Sequence, residues 1–323
     1  MDKVAANLSD VEKGAGANGK KPESHGFASQ PSTAVNFEVP RGACDCLTHI
    51  YGDLGVFPMA SSRTYTPELA SISEIRSLHS TLGVDRVVIV QPTIYGTENA
   101  CTIDAVRQLG GRARGIVVVD DDTPQHVLAS MNEEGVRGVR INLETVGLTD
   151  PSIARRRFQK AVEKAGVRPG WHIQVYTRPA IIEAIADLLT TCPVPVAFDH
   201  FAGIQADTGL DNRGCDILLS LLQSGKAYVK LSAPYLASRR CPDYPDLVPI
   251  AKILIQANRD RVLWATNWPH PNAGRGENRK PTDVIPLRKV DDGQILNLLP
   301  IWAPDTRDRQ AILVDNPADL YGF

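Results

Sequence analysis

The chain has 323 residues, 43% of them hydrophobic and 22% charged, with 35 basic side chains against 37 acidic ones. That composition is one of a soluble globular protein, and the near-balance of charge argues against nucleic acid or an anionic membrane surface as a partner. No apolar run approaches the roughly 18 residues needed to cross a bilayer, and the N-terminus lacks the apolar core of a secretory signal. Six cysteines, at 44, 46, 101, 192, 215 and 241, are scattered without CxxC pairs. This spacing fits a reduced, cytoplasmic protein with free thiols.

Residues 1–40 are rich in Gly, Ser, Lys, Asn and Ala without apolar periodicity and are expected to form a disordered leader. From residue 43 short apolar runs alternate with amphipathic stretches. The expected strands are 43–50, 86–92, 114–120, 136–142, 171–176, 195–201, 227–234 and 262–268. Helices are expected at 71–82, 99–110, 123–134, 151–166, 178–191, 211–223 and 246–257, with start signals such as Asp150 before Pro151 and stop signals such as Gly83 and Gly166. Alternating strands and helices around eight buried runs argue for a single-domain α/β protein, a (β/α)8 TIM barrel over 41–323. An open doubly wound sheet is the weaker alternative, because no Gly-rich phosphate turn follows the first strand. Residues 270–290 read as a loop on the catalytic side, a candidate lid. Residues 305–323 read as a closing helix.

In such a barrel the polar residues at the C-terminal strand ends converge on one pocket. The candidates are His49, Gln91, Arg140, Tyr176, His200, Lys230, Tyr235, Arg239, Asn267 and His270. Strand alternation lets at most one of Arg137 and Arg140 face the interior, and Arg140 is nearer the catalytic end. The same rule favours His200 over Asp199, which is expected to bond a neighbouring loop or strand. His172 sits at a strand start, the face concerned with stability.

The run Ala265-Thr266-Asn267-Trp268-Pro269-His270-Pro271 resembles the last-strand signature of the amidohydrolase superfamily, in the branch of 2-pyrone-4,6-dicarboxylate lactonase-like proteins. Asn316-Pro317 with Leu320-Tyr321 resembles a common ending of that superfamily. The resemblance implies an HxH metal motif at the first strand and an Asp at position 267. Here the first His is Leu47, which has no lone pair, and Asn267 cannot accept a proton near neutral pH. With Gln91, Arg140, Asp199-His200 and the 233–239 run, these substitutions resemble the D-galactarolactone isomerase group of the same branch.

The resemblance therefore implies a cofactor-free, metal-free enzyme acting on a small carboxylate lactone, without nucleic-acid or membrane partners and able to form a homo-oligomer. The expected reaction is isomerisation of a sugar-acid lactone by intramolecular acyl transfer. Hydrolysis of a dicarboxylate lactone of the pyrone or muconolactone type is the alternative. In this reading His200 or His49 shuttles the proton, Asn267 and Lys230 donate to the oxyanion, and Arg140, with Arg239 second, grips the carboxylate. Gln91, Tyr176, Tyr235 and His270 contact the substrate.

Overall fold

Each expected strand is present, most of them shorter than expected. A computed structural model describes residues 30–145, 147–273 and 280–323. The strands are β1 (Cys44–Thr48), β2 (Arg86–Val90), β3 (Ala113–Val117), β4 (Val136–Asn142), β5 (His172–Tyr176), β6 (Val196–Phe198), β7 (Ala227–Ser232) and β8 (Val262–Ala265). They pair in parallel and in sequence order. The barrel closes just beyond the last strand: Asn267 N donates to Leu47 O at 3.0 Å and His49 N to Trp268 O at 2.8 Å.

Two apolar layers follow from the alternation of side chains along the strands. The inner layer includes Cys44, Cys46, Leu47, Val88, Ile116, Ala197 and Leu263, with Leu320 and Tyr321 from the chain's end. The outer layer packs the other strand faces, Val87, Ile89, Ile173 and Trp264 among them, against the helices. Local chemistry sets the helix starts. Ser71 and Glu74 form a capping box on helix Ile72–Leu82, while Asp150 and Asn212 cap Pro151–Ala165 and Arg213–Gln223.

Four expectations need correction. Helix 178–191 is two pieces, Pro179–Ala184 and Ala186–Thr191, because Ile185 leaves the helical region (φ −117°, ψ 22°). The closing helix is interrupted by a π-helical turn at Ala311–Asp315. Its Asn316 donates to Arg259 O and Val262 O at 2.8 and 2.7 Å, tying the tail to the start of β8. Of the loop 270–290, residues 274–279 lie outside the described residues. Nearby, Val284–Ile285 pairs in parallel with Thr66–Pro67.

The fourth correction concerns the leader. Residues 1–29 lie outside the described residues, but 30–40 dock on the barrel. Ser32 Oγ, Thr33 N and Thr33 Oγ1 donate to Asp291 Oδ2 at 2.6, 3.0 and 2.7 Å. Asn36 N donates to Asn297 Oδ1 at 2.8 Å, and Val35, Phe37 and Val39 pack on the core. Polar composition had masked this attachment, which runs through specific donors. Among the described residues no helix is long and apolar enough to cross a membrane.

One buried carboxylate holds the seam between first and last strands. Asp45, fully buried, accepts from Thr266 N at 3.0 Å and Leu47 N at 3.3 Å through Oδ1. Its Oδ2 accepts from Thr266 Oγ1 at 2.5 Å and contacts His79 Nε2 at 3.3 Å. Removing it strands several buried donors, each costing about 1–3 kcal/mol. Asp45→Ala is therefore expected to lower stability by roughly 3 kcal/mol or more, read from urea midpoints at unchanged m-value. A loss below about 0.5 kcal/mol would show that the seam holds without it.

Candidate active site

A cavity of about 350 Å³ opens at the C-terminal strand ends. His49, Arg140, Asn142, Tyr176, His200 and Asn267 reach it from the strands and their ends, Tyr65, Glu144 and Arg288 from the loops, and Leu236 from the short helix Pro234–Ala237. The period of two explains the selection within β4: Arg140 and Asn142 face inward. Arg137, on the other face, instead donates to Asn132 O and Val136 O at 2.9 and 2.7 Å. Two of the strand-end residues, His200 and Asn267, hold left-handed backbone at φ 52° and 66°. Non-glycine residues there cost energy and collect at functional sites.

Below the cavity lies a buried ionic cluster. The Asp199 carboxylate receives Gln174 Nε2 at 3.0 Å, with Lys230 Nζ at 3.1 Å and Arg140 Nη2 at 3.9 Å. Burial pushes the Asp199 pKa up, but Lys230, His200 and Arg140 together outweigh it and leave the group below its ordinary value. Two cations against one anion give the cluster a net positive charge. On the rim, Glu144 is neutralised by Arg178 at 2.9 and 2.5 Å. The Nε atoms of both Arg140 and Arg288 are buried without a hydrogen-bond partner among the described residues. The cavity wall therefore carries a surplus of positive charge.

The two histidines are neutral. His49 Nδ1 lies 2.7 Å from Val90 O. A carbonyl only accepts, so Nδ1 carries the proton and Nε2 keeps its lone pair. Burial, with Arg140 second, holds the His49 pKa down at about 3. His200 Nδ1 bonds Ser232 Oγ at 2.9 Å, its ring edge meets Tyr176 at 4.7 Å, and burial holds it down at about 4.

Several sequence-derived candidates lie elsewhere. Lys230 is fully buried and does not line the cavity, so its ammonium serves Asp199 rather than an oxyanion. The Gln91 side chain is spent on Thr102 Oγ1, Gly96 O and Glu98 O, and the Gln91 backbone carbonyl accepts from Arg140 Nη1 at 2.9 Å. Tyr235 and His270 stand behind Asn267: Asn267 Nδ2 donates to Tyr235 Oη at 2.9 Å, which is 3.1 Å from His270 Nδ1. Arg239 is exposed and outside the cavity. Arg288 takes the place expected for Arg239, its guanidinium 5.4 Å from the Tyr235 ring centre and its backbone N bonded to His270 O at 3.0 Å. It sits in a Pro- and Lys-flanked loop where nothing local marks it as inward-facing.

The donor set does not fit a divalent metal. Leu47 packs in the inner apolar layer, His49 Nδ1 is taken by a carbonyl, and the Asp199 carboxylate is taken by Lys230 and Gln174. Among the described residues no three of His, Cys, Asp or Glu gather where a metal ion could be held.

His172, buried below the cavity, is held down at about 3 by burial and then by Lys230. With His49 and His200 it stays neutral in the folded protein, yet in the unfolded chain each takes a proton below about 6.5. The unfolded state then binds up to three more protons than the folded one. Stability must therefore fall as pH drops from 6.5 toward 4, by about 1.4 kcal/mol per extra proton per pH unit. In urea titrations between about pH 7.5 and 5, His172→Gln is expected to remove about a third of that slope. An unchanged slope would mean that His172 is protonated in the fold.

The family model described as Amidohydrolase matches residues 44–323. The chain is 33% identical over 294 residues to 4-sulfomuconolactone hydrolase of Rhizobium radiobacter, covering 90% of this chain and 93% of that protein. It is 33% identical over 298 residues to 2-pyrone-4,6-dicarboxylate hydrolase of Comamonas testosteroni, covering 88% and 92%. Identity to D-galactarolactone isomerase of Agrobacterium fabrum is lower, 27% over 292 residues, covering 90% and 94%. The two hydrolases are thus more similar than the isomerase, against the expectation raised by Leu47 and Asn267. In structure the chain resembles an apo crystal structure from Agrobacterium tumefaciens, with TM-score 0.75, 26% identity, and coverage of 90% and 99%. Eight parallel strands, the polar set at their C-terminal ends and the family match over 44–323 lead to one statement: the chain belongs to the amidohydrolase family.

Proposed function

We propose that this protein hydrolyses an anionic lactone of the muconolactone or pyrone-dicarboxylate type. The observation that carries the reading is the pair of guanidinium groups, Arg140 and Arg288, each with an unpartnered buried Nε, on the wall of one small cavity. The greater similarity to two lactone hydrolases than to the isomerase supports it.

In this mechanism Arg140 and Arg288 hold the substrate's acidic groups and set the ring above the histidines. A water attacks the lactone carbonyl, and His49 Nε2, the imidazole nitrogen left with a lone pair, accepts its proton. The tetrahedral intermediate collapses, the ring C–O bond breaks, and the same imidazole returns the proton to the departing ring oxygen. The new carboxylic acid then ionises and releases one proton. A nitrogen with a pKa near 3 is a weak base before substrate binds, because of burial first and Arg140 second. A carboxylate on Arg140 cancels that contribution and raises the basicity of His49 as the substrate binds.

Intramolecular acyl transfer is the second reading. It is favoured by Asn267, whose amide cannot take the proton of a free water. Turnover of a muconolactone carboxylate in 18O-labelled water separates the two. Hydrolysis is expected to place one labelled oxygen in the product carboxylate and to release one proton in a pH-stat. Isomerised lactone without label or proton release would overturn the proposal. Arg140→Met is expected to raise KM at least tenfold through loss of a charge-assisted bidentate contact. An unchanged KM would remove Arg140 from substrate binding.

A further inference from the structure

Behind Asn267 runs a chain of hydrogen bonds whose direction can be worked out from its far end. Asp292, fully buried at the start of helix Asp292–Asn297, holds Oδ2 3.0 Å from His270 Nε2. Burial raises the Asp292 pKa and the facing His270 imidazole opposes the rise; with the carboxylate ionised it only accepts, so Nε2 carries the ring proton and Nδ1 presents its lone pair. That lone pair faces Tyr235 Oη at 3.1 Å, so the phenol donates to it. The phenol oxygen is then the acceptor for Asn267 Nδ2 at 2.9 Å. With its nitrogen engaged behind the wall, the amide turns Oδ1 toward the cavity.

The backbone leaves little else to vary. Asn267 N is fixed to Leu47 O at 3.0 Å, and His270 N to Asn267 O at 2.9 Å. What remains is a half-turn of the amide, which would exchange an acceptor for a donor at the reacting centre.

We propose that Asp292 is a positioning residue that fixes, through His270 and Tyr235, which edge of the Asn267 amide meets the attacking water. Its effect on turnover rests on the lactone reading above, whereas the direction of the chain does not. The Asn267 carbonyl accepts one hydrogen of the water and leaves the other directed at His49, so the device acts on the reacting water rather than on substrate binding.

The test combines nitrogen NMR of the full chain, labelled at histidine, with kinetics on a muconolactone carboxylate. In the unaltered protein His270 is expected as the neutral Nε2–H tautomer. Asp292→Leu and Tyr235→Phe should each lower kcat about tenfold while KM stays within about threefold, and the double variant should lose no more than either alone. Asp292→Asn, which can still accept through Oδ1, should recover most of the activity. An Nδ1–H tautomer or an imidazolium at His270 would overturn the proposal, as would losses that multiply to about a hundredfold in the double variant. If Asp292→Leu does not fold, the tautomer of the unaltered protein and Tyr235→Phe decide. If no lactone is turned over, the NMR reading still stands or falls alone.

Discussion

The arrangement depends on one carboxylate buried between cations. Asp199 and Lys230, 3.1 Å apart and both without exposed side-chain surface, attract one another by about 5 kcal/mol at an effective dielectric near 20. Burying either ion alone costs several kcal/mol, so the pair offsets its own desolvation and little more. Its value is in what it leaves over. Arg140, 3.9 Å from the same carboxylate, is only partly compensated, and its charge reaches the cavity. Burial is the main reason His49 and His200 stay neutral; that surplus adds to it, and a bound anion would use the surplus up. Charge selection and base strength are thus coupled through one guanidinium.

Much of this was legible in the sequence because periodicity reports burial directly. The eight strands, and Arg140 in preference to Arg137, follow from alternation of side chains with position. What escaped were residues whose role depends on where a loop folds back. Arg288 and Arg239 are both arginines in polar loops, and only tertiary structure separates the one over Tyr235 from the one in solvent. Lys230 is a strand-end polar residue by sequence, but depth along β7 decides whether such a side chain meets a ligand or a buried counterion. Asp292 gave no signal, since the sequence raises no expectation of a helix there and its neighbour Asp291 is the one that caps it.

The substitution of amide for acid at position 267 takes on physical meaning beside its neighbours. An amide is both donor and acceptor, so its effect depends on which edge faces inward. In this protein that edge is set by a phenol, an imidazole and a carboxylate in series. Leu47 belongs to the same change. Its side chain packs in the inner apolar layer, where a second imidazole would have needed water or a cation as company.

The attachment of residues 30–40 has a practical corollary for where the domain begins. Composition draws its edge near residue 41, but Ser32 and Thr33 bind Asp291, the immediate neighbour of Asp292. Trimming the polypeptide at that apparent edge would take three donors from Asp291 at the start of the following helix and the bonds of Ala34 and Asn36 from Asn297 at its end. A fragment cut to the barrel alone would keep every strand and lose the clasp behind its cavity.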